Sequence, residues 1–293
     1  MKNKKYIYVA SITPFDKNNN VDETAMKKLL DKNISEGADG FFIGGSAGES
    51  FLLSFEERVK TFEIASHYLE NSVIIAHVGS VSTKEAIDCA KEAKALGIKN
   101  IAAVPPFYFG FSPKEVANYY YDIAQAVDMP VIYYNIPSST SREIDLYNPE
   151  YKELFQSNAI AGIKHTNLNL YQLERIKNLN PEIKCYGGYE NCMVAFLAFG
   201  VDGFIGSSFN FMLPQYKKVM ELYLIHREDE ARNLEAKANT VLEFLLKNGL
   251  CAGLKCAVTE LGIDVGIPRK PFLPYDENKR NELIKLMKEN LLN

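Results

Sequence analysis

Eight short apolar runs recur along the chain, and each is continuous instead of alternating with polar residues. They are YIYVASI (6–12), GFFIGG (40–45), VIIAHVG (73–79), NIAAVPP (100–106), PVIYYNI (130–136), IAGIKHT (160–166), IKCYGGY (183–189) and GFIGS (203–207). Continuous apolar runs of this length are typical of parallel strands that are covered on both faces. The pattern therefore predicts eight parallel strands.

Segments with helical periodicity separate these runs, and several have recognisable first and last residues. Three segments match the capping box, in which a serine and a glutamate three residues later bond each other's backbone: Ser54-x-x-Glu57, Ser82-x-x-Glu85 and Ser112-Pro113-x-Glu115. Gly37 and Gly97 stand where helix C-caps are expected. The chain thus alternates predicted strands with predicted helices.

Eight strand–helix units, repeated at roughly 20 to 35 residues, fit a closed (β/α)8 barrel better than an open sheet, for which five or six strands are typical. We assign residues 1–225 to this barrel. Residues from about 215 onwards show only helical periodicity, and we expect 226–293 to form a C-terminal helical extension packed on the barrel. The extension includes REDEARNLEAKANTVLEFLLKNG (227–249).

Composition narrows the possible partners and the location. The 33 basic and 37 acidic residues are well mixed, so neither a nucleic-acid stripe nor a polybasic membrane patch is predicted. The N-terminal residues do not form a secretory signal pattern, and no apolar run is long enough to span a bilayer. The five cysteines include no CxxC pair, which argues against a disulfide framework or structural zinc. We expect a cytoplasmic protein that binds a small molecule.

Active sites of such barrels lie at the carboxyl ends of the strands. Polar residues end or follow six of the predicted strands, as Ser46, Tyr108, Tyr134, Lys164, Glu190 and Ser207. Because these strand ends meet at one rim of the barrel, we expect a single site there.

Lys164 ends an apolar run, where a charged side chain is unexpected. Either its stem carries the ammonium out to solvent, or the side chain stays inside the barrel, where desolvation favours the neutral amine. A free amine can attack a ketone to form a Schiff base, whose iminium withdraws electrons from the neighbouring carbon. The second arrangement predicts chemistry that needs neither a metal nor a cofactor.

The histidines do not offer an alternative metal site. His67, His77, His165 and His226 show no HxxH or HExxH spacing, so a zinc-dependent aldolase is disfavoured. His165 follows Lys164 on the same strand, and strand alternation points it away from the barrel interior. We expect His165 to be a packed residue.

The turn GGSAGES (44–50) matches neither a P-loop nor GxGxxG, so a nucleotide site is not predicted. Its backbone N–H groups and the Ser46 hydroxyl could hold a carboxylate, or its glycines could serve a tight turn alone; the sequence leaves both open. Tyr134, on the strand adjacent to that of Lys164, could move a proton on and off a substrate, with Tyr108 in support.

Taken together, these motifs resemble the pyruvate-dependent class I aldolases of the dihydrodipicolinate synthase and N-acetylneuraminate lyase family. The resemblance runs from about residue 6 to the C-terminus and includes GGSAGES, AHVGSVSTKEAIDCAKEAKALGIKNIAAVPPFYFGFS, YYNIP, GIKHT, GGYENCMVAFLAFGVDGFIGSSFNFM and RKPF. PFYFGFS, YYNIP, GFIGSSFNFM and PRKPF resemble the lyase branch more closely. Ser139 stands where the synthase branch carries an arginine for a second carboxylate.

The resemblance implies a role for each matching position. Lys164 would form the Schiff base with the keto carbon, and Tyr134 would shuttle protons. Ser46 and the backbone of Ala47 would bind the pyruvate carboxylate, while Tyr108 would lie at a subunit interface and close a neighbouring relay in a homotetramer. The pocket for the sugar-like end of the substrate would be lined by Thr166, Gly188, Glu190, Asn191 and Ser207.

Three positions depart from the lyase branch. Ala47 replaces a threonine and removes a relay hydroxyl, Glu190-Asn191 replaces an Asp-Glu pair in the pocket for the polyol tail, and Ser141 replaces a glycine. The leading hypothesis is reversible cleavage of N-acetylneuraminate to N-acetylmannosamine and pyruvate. The alternatives are the same mechanism on another 2-keto-3-deoxy sugar acid, a synthase-type condensation, or a barrel that binds a keto acid without catalysis.

Overall fold

The computed structural model describes residues 4–292, and a closed barrel of eight parallel strands lies at its centre. Each strand pairs with the next along the chain, and the eighth pairs with the first. The strands are β1 (Tyr6–Ala10), β2 (Gly40–Ile43), β3 (Val73–His77), β4 (Asn100–Ala103), β5 (Val131–Asn135), β6 (Ile160–His165), β7 (Lys184–Gly187) and β8 (Gly203–Gly206). All eight predicted strands are confirmed, as is the (β/α)8 fold.

Helices connect successive strands around the outside of the barrel and continue beyond it. They are α1 (Glu23–Ser35), α2 (Phe55–Ser66), α3 (Thr83–Ala95), α4 (Pro113–Val127), α5 (Pro137–Thr140), α6 (Pro149–Gln156), α7 (Leu170–Leu179), α8 (Met193–Ala198), α9 (Phe209–Leu224), α10 (Glu228–Asn248), α11 (Leu250–Glu260) and α12 (Glu277–Asn290). Because helices cover the outer face and side chains fill the inside, the strands are apolar on both faces.

Two of the three predicted capping boxes form, at the start of α2 and of α4. The one predicted at Ser82 is wrong, because its side chain makes no cap hydrogen bond. Glu85 has other partners: its carboxylate accepts a 2.8 Å bond from the Ser80 hydroxyl and lies 3.5 Å from the buried Arg58 guanidinium. Gly37 and Gly97 follow α1 and α3 with φ of 87° and 80°, as C-cap glycines do.

The chain after the barrel is helical in three segments and irregular between the last two. Helix α10 packs against α9 and α12, and it also contacts α8 and the turn after β7. The expected C-terminal helical extension is present, and residues 261–276, between α11 and α12, run without a helix. That stretch contacts the N-terminal part of the chain, because the Phe15 N–H donates to the Val265 carbonyl at 3.1 Å.

Strand register places two of the predicted site residues side by side inside the barrel. Tyr134 on β5 aligns with Lys164 on β6, and Lys164 aligns in turn with Tyr186 on β7. The neighbouring His165 points outwards, because successive side chains of a strand face opposite sides. Within the described part of the chain, no helix is long and apolar enough to cross a membrane.

The close approach of β2 to β3 generates a stability prediction. A Cβ on Gly40 would lie 2.0 Å from the Val73 carbonyl oxygen, so Gly40→Ala must push the two strands apart. We expect a loss of more than about 2 kcal/mol in the free energy of unfolding, measured by urea denaturation. Gly110→Ala is the matched control, since nothing lies within 4 Å of its Cβ position, and we expect it to stay within about 0.5 kcal/mol of the original protein. Equal effects at the two positions would contradict this account of the barrel.

Candidate active site

A cavity of about 280 Å³ opens at the carboxyl ends of the barrel strands. The structure brings every predicted site residue except Tyr108 into its lining: Ser46, Ala47, Tyr134, Lys164, Thr166, Gly188, Glu190, Asn191 and Ser207. These residues come from the ends of five different strands. The expectation of one site at this rim agrees with the geometry.

Lys164 is buried, with 4% of its surface exposed, so its stem does not carry the amine to solvent. Its Nζ lies between two aromatic rings, 3.9 Å from the ring centroid of Tyr134 and 4.2 Å from that of Phe42. Across residues 4–292, no carboxylate forms an ion pair with it. The amine therefore faces the cavity without an anionic partner.

Tyr134 joins Lys164 to the turn after β2. Its ring is buried beneath the lysine amine, and its hydroxyl lies 3.4 Å from the Ser46 hydroxyl, where either oxygen can donate. Ser46 is exposed towards the cavity, while Ala47 beside it is buried. The Lys164 amine, the Tyr134 phenol and the Ser46 hydroxyl thus follow one another from the inside of the barrel to the opening of the cavity.

His77 supports this group and was not predicted to do so. Because the Val104 N–H donates to its Nε2 at 3.2 Å, the ring proton is on Nδ1, which donates to the Gly44 carbonyl at 2.8 Å. Burial, and then the charge of Arg58, lower the pKa of His77 to about 3. The ring is therefore a neutral spacer packed against Tyr134. The sequence signal that could have identified His77 is its position at the end of an apolar strand.

Glu190 forms the charged part of the far end of the cavity. One carboxylate oxygen, Oε1, accepts hydrogen bonds from the Ser208 N–H at 2.7 Å, the Ser208 hydroxyl at 2.8 Å and the Ser207 hydroxyl at 3.2 Å. These three donors hold the carboxylate in place. Asn191 follows it and is tied to α10, because Asn239 donates to its carbonyl at 2.9 Å.

Thr166 and Gly188 form the floor beside Glu190. The Thr166 hydroxyl oxygen is buried and has no hydrogen-bond partner within the described residues. A Cβ on Gly188 would lie 2.0 Å from that oxygen, so only glycine leaves room for the threonine. A buried hydroxyl without a partner at a cavity wall is a ready hydrogen-bonding position for a ligand.

The remaining wall is apolar and comes from the C-terminal helices. Leu242 and Leu246 of α10, and Leu250 and Cys251 of α11, line the cavity opposite Tyr134. These residues were not identified from the sequence. Helical periodicity predicts that they lie on an apolar helix face, but it does not show which part of the protein that face contacts. Among the described lining residues, Lys164 supplies an amine and Glu190 a carboxyl group.

Two other predicted positions lie outside the cavity. Tyr108 is 86% exposed in the loop after β4, with a φ of 74°, an uncommon angle for a bulky residue. His165 is fully buried outside the barrel, where it bonds the Asn135 side chain at 3.1 Å and the Asn169 carbonyl at 3.1 Å. Burial lowers the pKa of His165 to about 4. The interpretation of His165 as a packed residue is confirmed.

Residues 4–292 contain no group of three or more histidine, cysteine, aspartate and glutamate side chains placed to hold a metal ion. What the site does offer is an amine, a phenol, a serine hydroxyl and one carboxyl group. This set suits covalent capture of a carbonyl compound, proton transfer and recognition of a hydroxylated tail.

Comparisons with known proteins show the family of this chain. The sequence pattern described as "Dihydrodipicolinate synthetase family" matches residues 3–290. The chain is 36% identical over 272 residues to the N-acetylneuraminate lyase of Rhizobium meliloti (strain 1021), covering 92% of this chain and 90% of that protein. The structure of CdNal from Clostridium difficile in complex with mannosamine matches with a TM-score of 0.93 and 33% identity, covering 99% of this chain and 100% of that one.

A solved structure with another named substrate also matches. A variant of the Sulfolobus solfataricus 2-keto-3-deoxygluconate aldolase has a TM-score of 0.89 and 27% identity, covering 97% of this chain and 95% of that one. The fold and the family are therefore shared among proteins with different named substrates.

The two buried neutral histidines predict a pH dependence of stability. His77 and His165 have folded pKa values of about 3 and about 4, below the ordinary 6.5. Between these values the unfolded chain binds more protons, so stability falls as pH is lowered from 6.5 to 4. Near pH 5 each histidine should contribute a slope of about 1.4 kcal/mol per pH unit.

Urea denaturation across this pH range measures how the free energy of unfolding changes with pH. His77→Gln should reduce this slope by the contribution of one histidine, about 1.4 kcal/mol per pH unit. Lys218→Met, at a partly exposed position of α9 far along the chain from both histidines, should keep the original slope. An unchanged slope in His77→Gln would show that His77 is not held neutral in the folded protein.

Proposed function

The chain belongs to the dihydrodipicolinate synthetase family, and from this premise we propose that it cleaves N-acetylneuraminate reversibly to N-acetylmannosamine and pyruvate. Relatives of this family support a pyruvate-dependent carbon–carbon lyase, the activity expected from the sequence. The observation that carries the proposal is the Lys164 amine, buried at the cavity without an anionic partner and in contact with Tyr134.

The proposed reaction starts at this amine. Lys164 adds to the keto carbon of the open-chain sugar acid, and loss of water gives a protonated imine. Removal of the proton from the C4 hydroxyl breaks the C3–C4 bond, releases the aldehyde, and leaves the bonding electrons as an enamine on C3. Protonation of C3 and hydrolysis of the imine then release pyruvate and restore the amine.

Tyr134 is the residue that we propose takes and returns these protons. Its ring centroid lies 3.9 Å from the amine, and the Ser46 hydroxyl, 3.4 Å from its own hydroxyl, extends the route. The turn that carries Ser46 and Ala47 supplies a hydroxyl and a backbone N–H for the substrate carboxylate, as anion sites at strand-to-helix turns do. Ala47 contributes its backbone alone.

The far end of the cavity suits a neutral polyol better than a second anion. Glu190 presents a carboxylate, which accepts hydrogen bonds from hydroxyl groups and repels anions. Thr166, Asn191 and Ser207 add neutral polar groups beside it. Ser139 lines the cavity at the position where a synthase would carry an arginine, so a second substrate carboxylate would find no cation there. The synthase-type condensation is disfavoured on this ground.

A second candidate keeps the mechanism and changes the substrate to another 2-keto-3-deoxy sugar acid. Ala47 and the Glu190-Asn191 pair favour it, because they alter the groups that would meet the substrate, and a family member of that activity shares the fold. A barrel that binds a keto acid without catalysis rests on Ala47 alone and leaves the buried amine unexplained.

Two further parts of the proposal concern assembly and location. Tyr108 is exposed beside Phe109 on the rim, as expected of a residue that enters a neighbouring subunit's relay in a homotetramer. All five cysteines are free, which is compatible with the cytoplasmic location that we propose.

Trapping tests the mechanism directly. Incubation with pyruvate and borohydride should reduce the imine and add a stable pyruvate-derived group to the peptide that contains Lys164, as mass spectrometry would show. Lys164→Ala should lose both the adduct and essentially all turnover. Tyr134→Phe should still fold and form the adduct, with kcat lower by about 10²- to 10⁴-fold. An unmodified Lys164 peptide after trapping would refute the mechanism.

A panel assay tests the substrate. Pyruvate release should be fastest from N-acetylneuraminate among 2-keto-3-deoxy sugar acids of different length. Glu190→Gln should lower kcat/KM for N-acetylneuraminate by about tenfold, because it weakens hydrogen bonds to the tail, while trapping with pyruvate alone is retained. Activity on a shorter sugar acid without cleavage of N-acetylneuraminate would establish the second candidate instead.

A further inference from the structure

The turn that carries Ser46 and Ala47 is held by short backbone hydrogen bonds and by the Thr13 hydroxyl, which donates to the Gly48 carbonyl at 2.8 Å. The Gly48 N–H donates to the Gly45 carbonyl at 3.0 Å, and the Glu49 N–H donates to the Ser46 carbonyl at 3.1 Å. The turn ends at Glu49, which has a φ of 58° in the left-handed region. A residue other than glycine stays in that region only when its surroundings hold it there.

Glu49 is held by its side chain, which is buried although it carries a carboxylate. One oxygen, Oε1, lies 2.9 Å from Nζ of Lys255, and the other, Oε2, accepts a 2.7 Å hydrogen bond from the Arg269 N–H. Both partners belong to the C-terminal part of the chain. The turn is thus connected across the molecule to α11 and to the irregular segment after it.

Lys255 is the second buried lysine of the structure, and the reaction described above does not use it. Its side chain is 1% exposed, donates to the Ile267 carbonyl at 3.0 Å, and lies 3.8 Å from the ring centroid of Phe15. Burial lowers the pKa of Lys255 to about 8, against the opposing attraction of Glu49. The other charged or titratable groups that act on it are Cys251 and Arg269.

Arg269 is fixed independently of Lys255. Its guanidinium makes two hydrogen bonds of 2.6 and 2.7 Å to the carboxylate of Glu57, at the start of α2, and another of 3.0 Å to the Leu52 carbonyl. The segment after α11 is therefore anchored even when Lys255 changes. Loss of the lysine charge leaves Glu49 with one N–H donor and no cation, which is unfavourable for a buried carboxylate.

We propose that Lys255 is a positioning residue, whose ion pair with Glu49 holds the Ser46–Ala47 turn in the geometry that binds the carboxylate of the keto acid. The inference rests on the proposed function, since it assumes that this turn is the carboxylate site. When Lys255 loses its proton, the turn loosens and affinity for the keto acid falls. The imine-forming amine of Lys164 belongs to a different strand and stays in place.

The test measures the pyruvate concentration that half-saturates borohydride trapping at Lys164, from pH 7 to pH 9.5. Pyruvate keeps one charge throughout this range, so a change in half-saturation reports on the protein. In the original protein, half-saturation should rise by about tenfold as pH passes through 8, with the same adduct yield at saturating pyruvate. A flat profile overturns the inference without any variant.

Three variants sharpen the result. Lys255→Met should show the tenfold weaker half-saturation already at pH 7 and no further rise to pH 9.5. Lys255→Arg, which stays charged, should bind as the original protein does at pH 7 and remove the rise. Lys285→Met, at an exposed position of α12, should behave as the original protein at every pH. A purely structural role of Lys255 would lower the adduct yield at saturating pyruvate instead, and would overturn the inference.

The outcomes separate this inference from the proposed function. Absence of any adduct in the original protein would refute the proposed function and this inference with it. A normal adduct, together with unaltered half-saturation in folded Lys255→Met, would leave the proposed function intact and overturn the positioning role alone. Circular dichroism establishes which variants are folded.

Discussion

The structure depends on keeping one primary amine inside a barrel without an anion beside it. Lys164 lies between two aromatic rings, and His77, which packs against Tyr134, is held uncharged by burial and by the charge of Arg58. An adjacent carboxylate would stabilise the ammonium and occupy the space that a ketone needs. The carboxylate of the cavity, Glu190, is instead held at the other end by serine donors.

The two buried lysines show how environment assigns different roles to one side chain. Lys255 has a carboxylate at 2.9 Å and a carbonyl at 3.0 Å, and both favour the ammonium over the free amine. Lys164 has neither and opens on the cavity. Burial is common to both; the presence of a fixed anion distinguishes a structural cation from a reactive amine.

Much of the fold was predictable, because strand and helix periodicities are local properties of the sequence. Lys164 could be identified for the same reason, because a lysine at the end of an apolar strand is also a local feature of the sequence. The failed cap at Ser82 shows the limit: its partner Glu85 bonds Ser80 and Arg58, and Arg58 arrives from another helix. The apolar wall and the Glu49–Lys255 pair were equally hidden, because both join residues far apart in the sequence.

The cavity is assembled from two sources that can change separately. The barrel strands supply the amine, the phenol and the carboxylate of Glu190, whereas Leu242, Leu246, Leu250 and Cys251 come from helices that lie outside the barrel. Substitutions on those two helices would reshape the space offered to a substrate's tail and leave the reacting atoms undisturbed. Substrate preference can therefore change through the C-terminal helices, while the reacting groups on the strands stay the same.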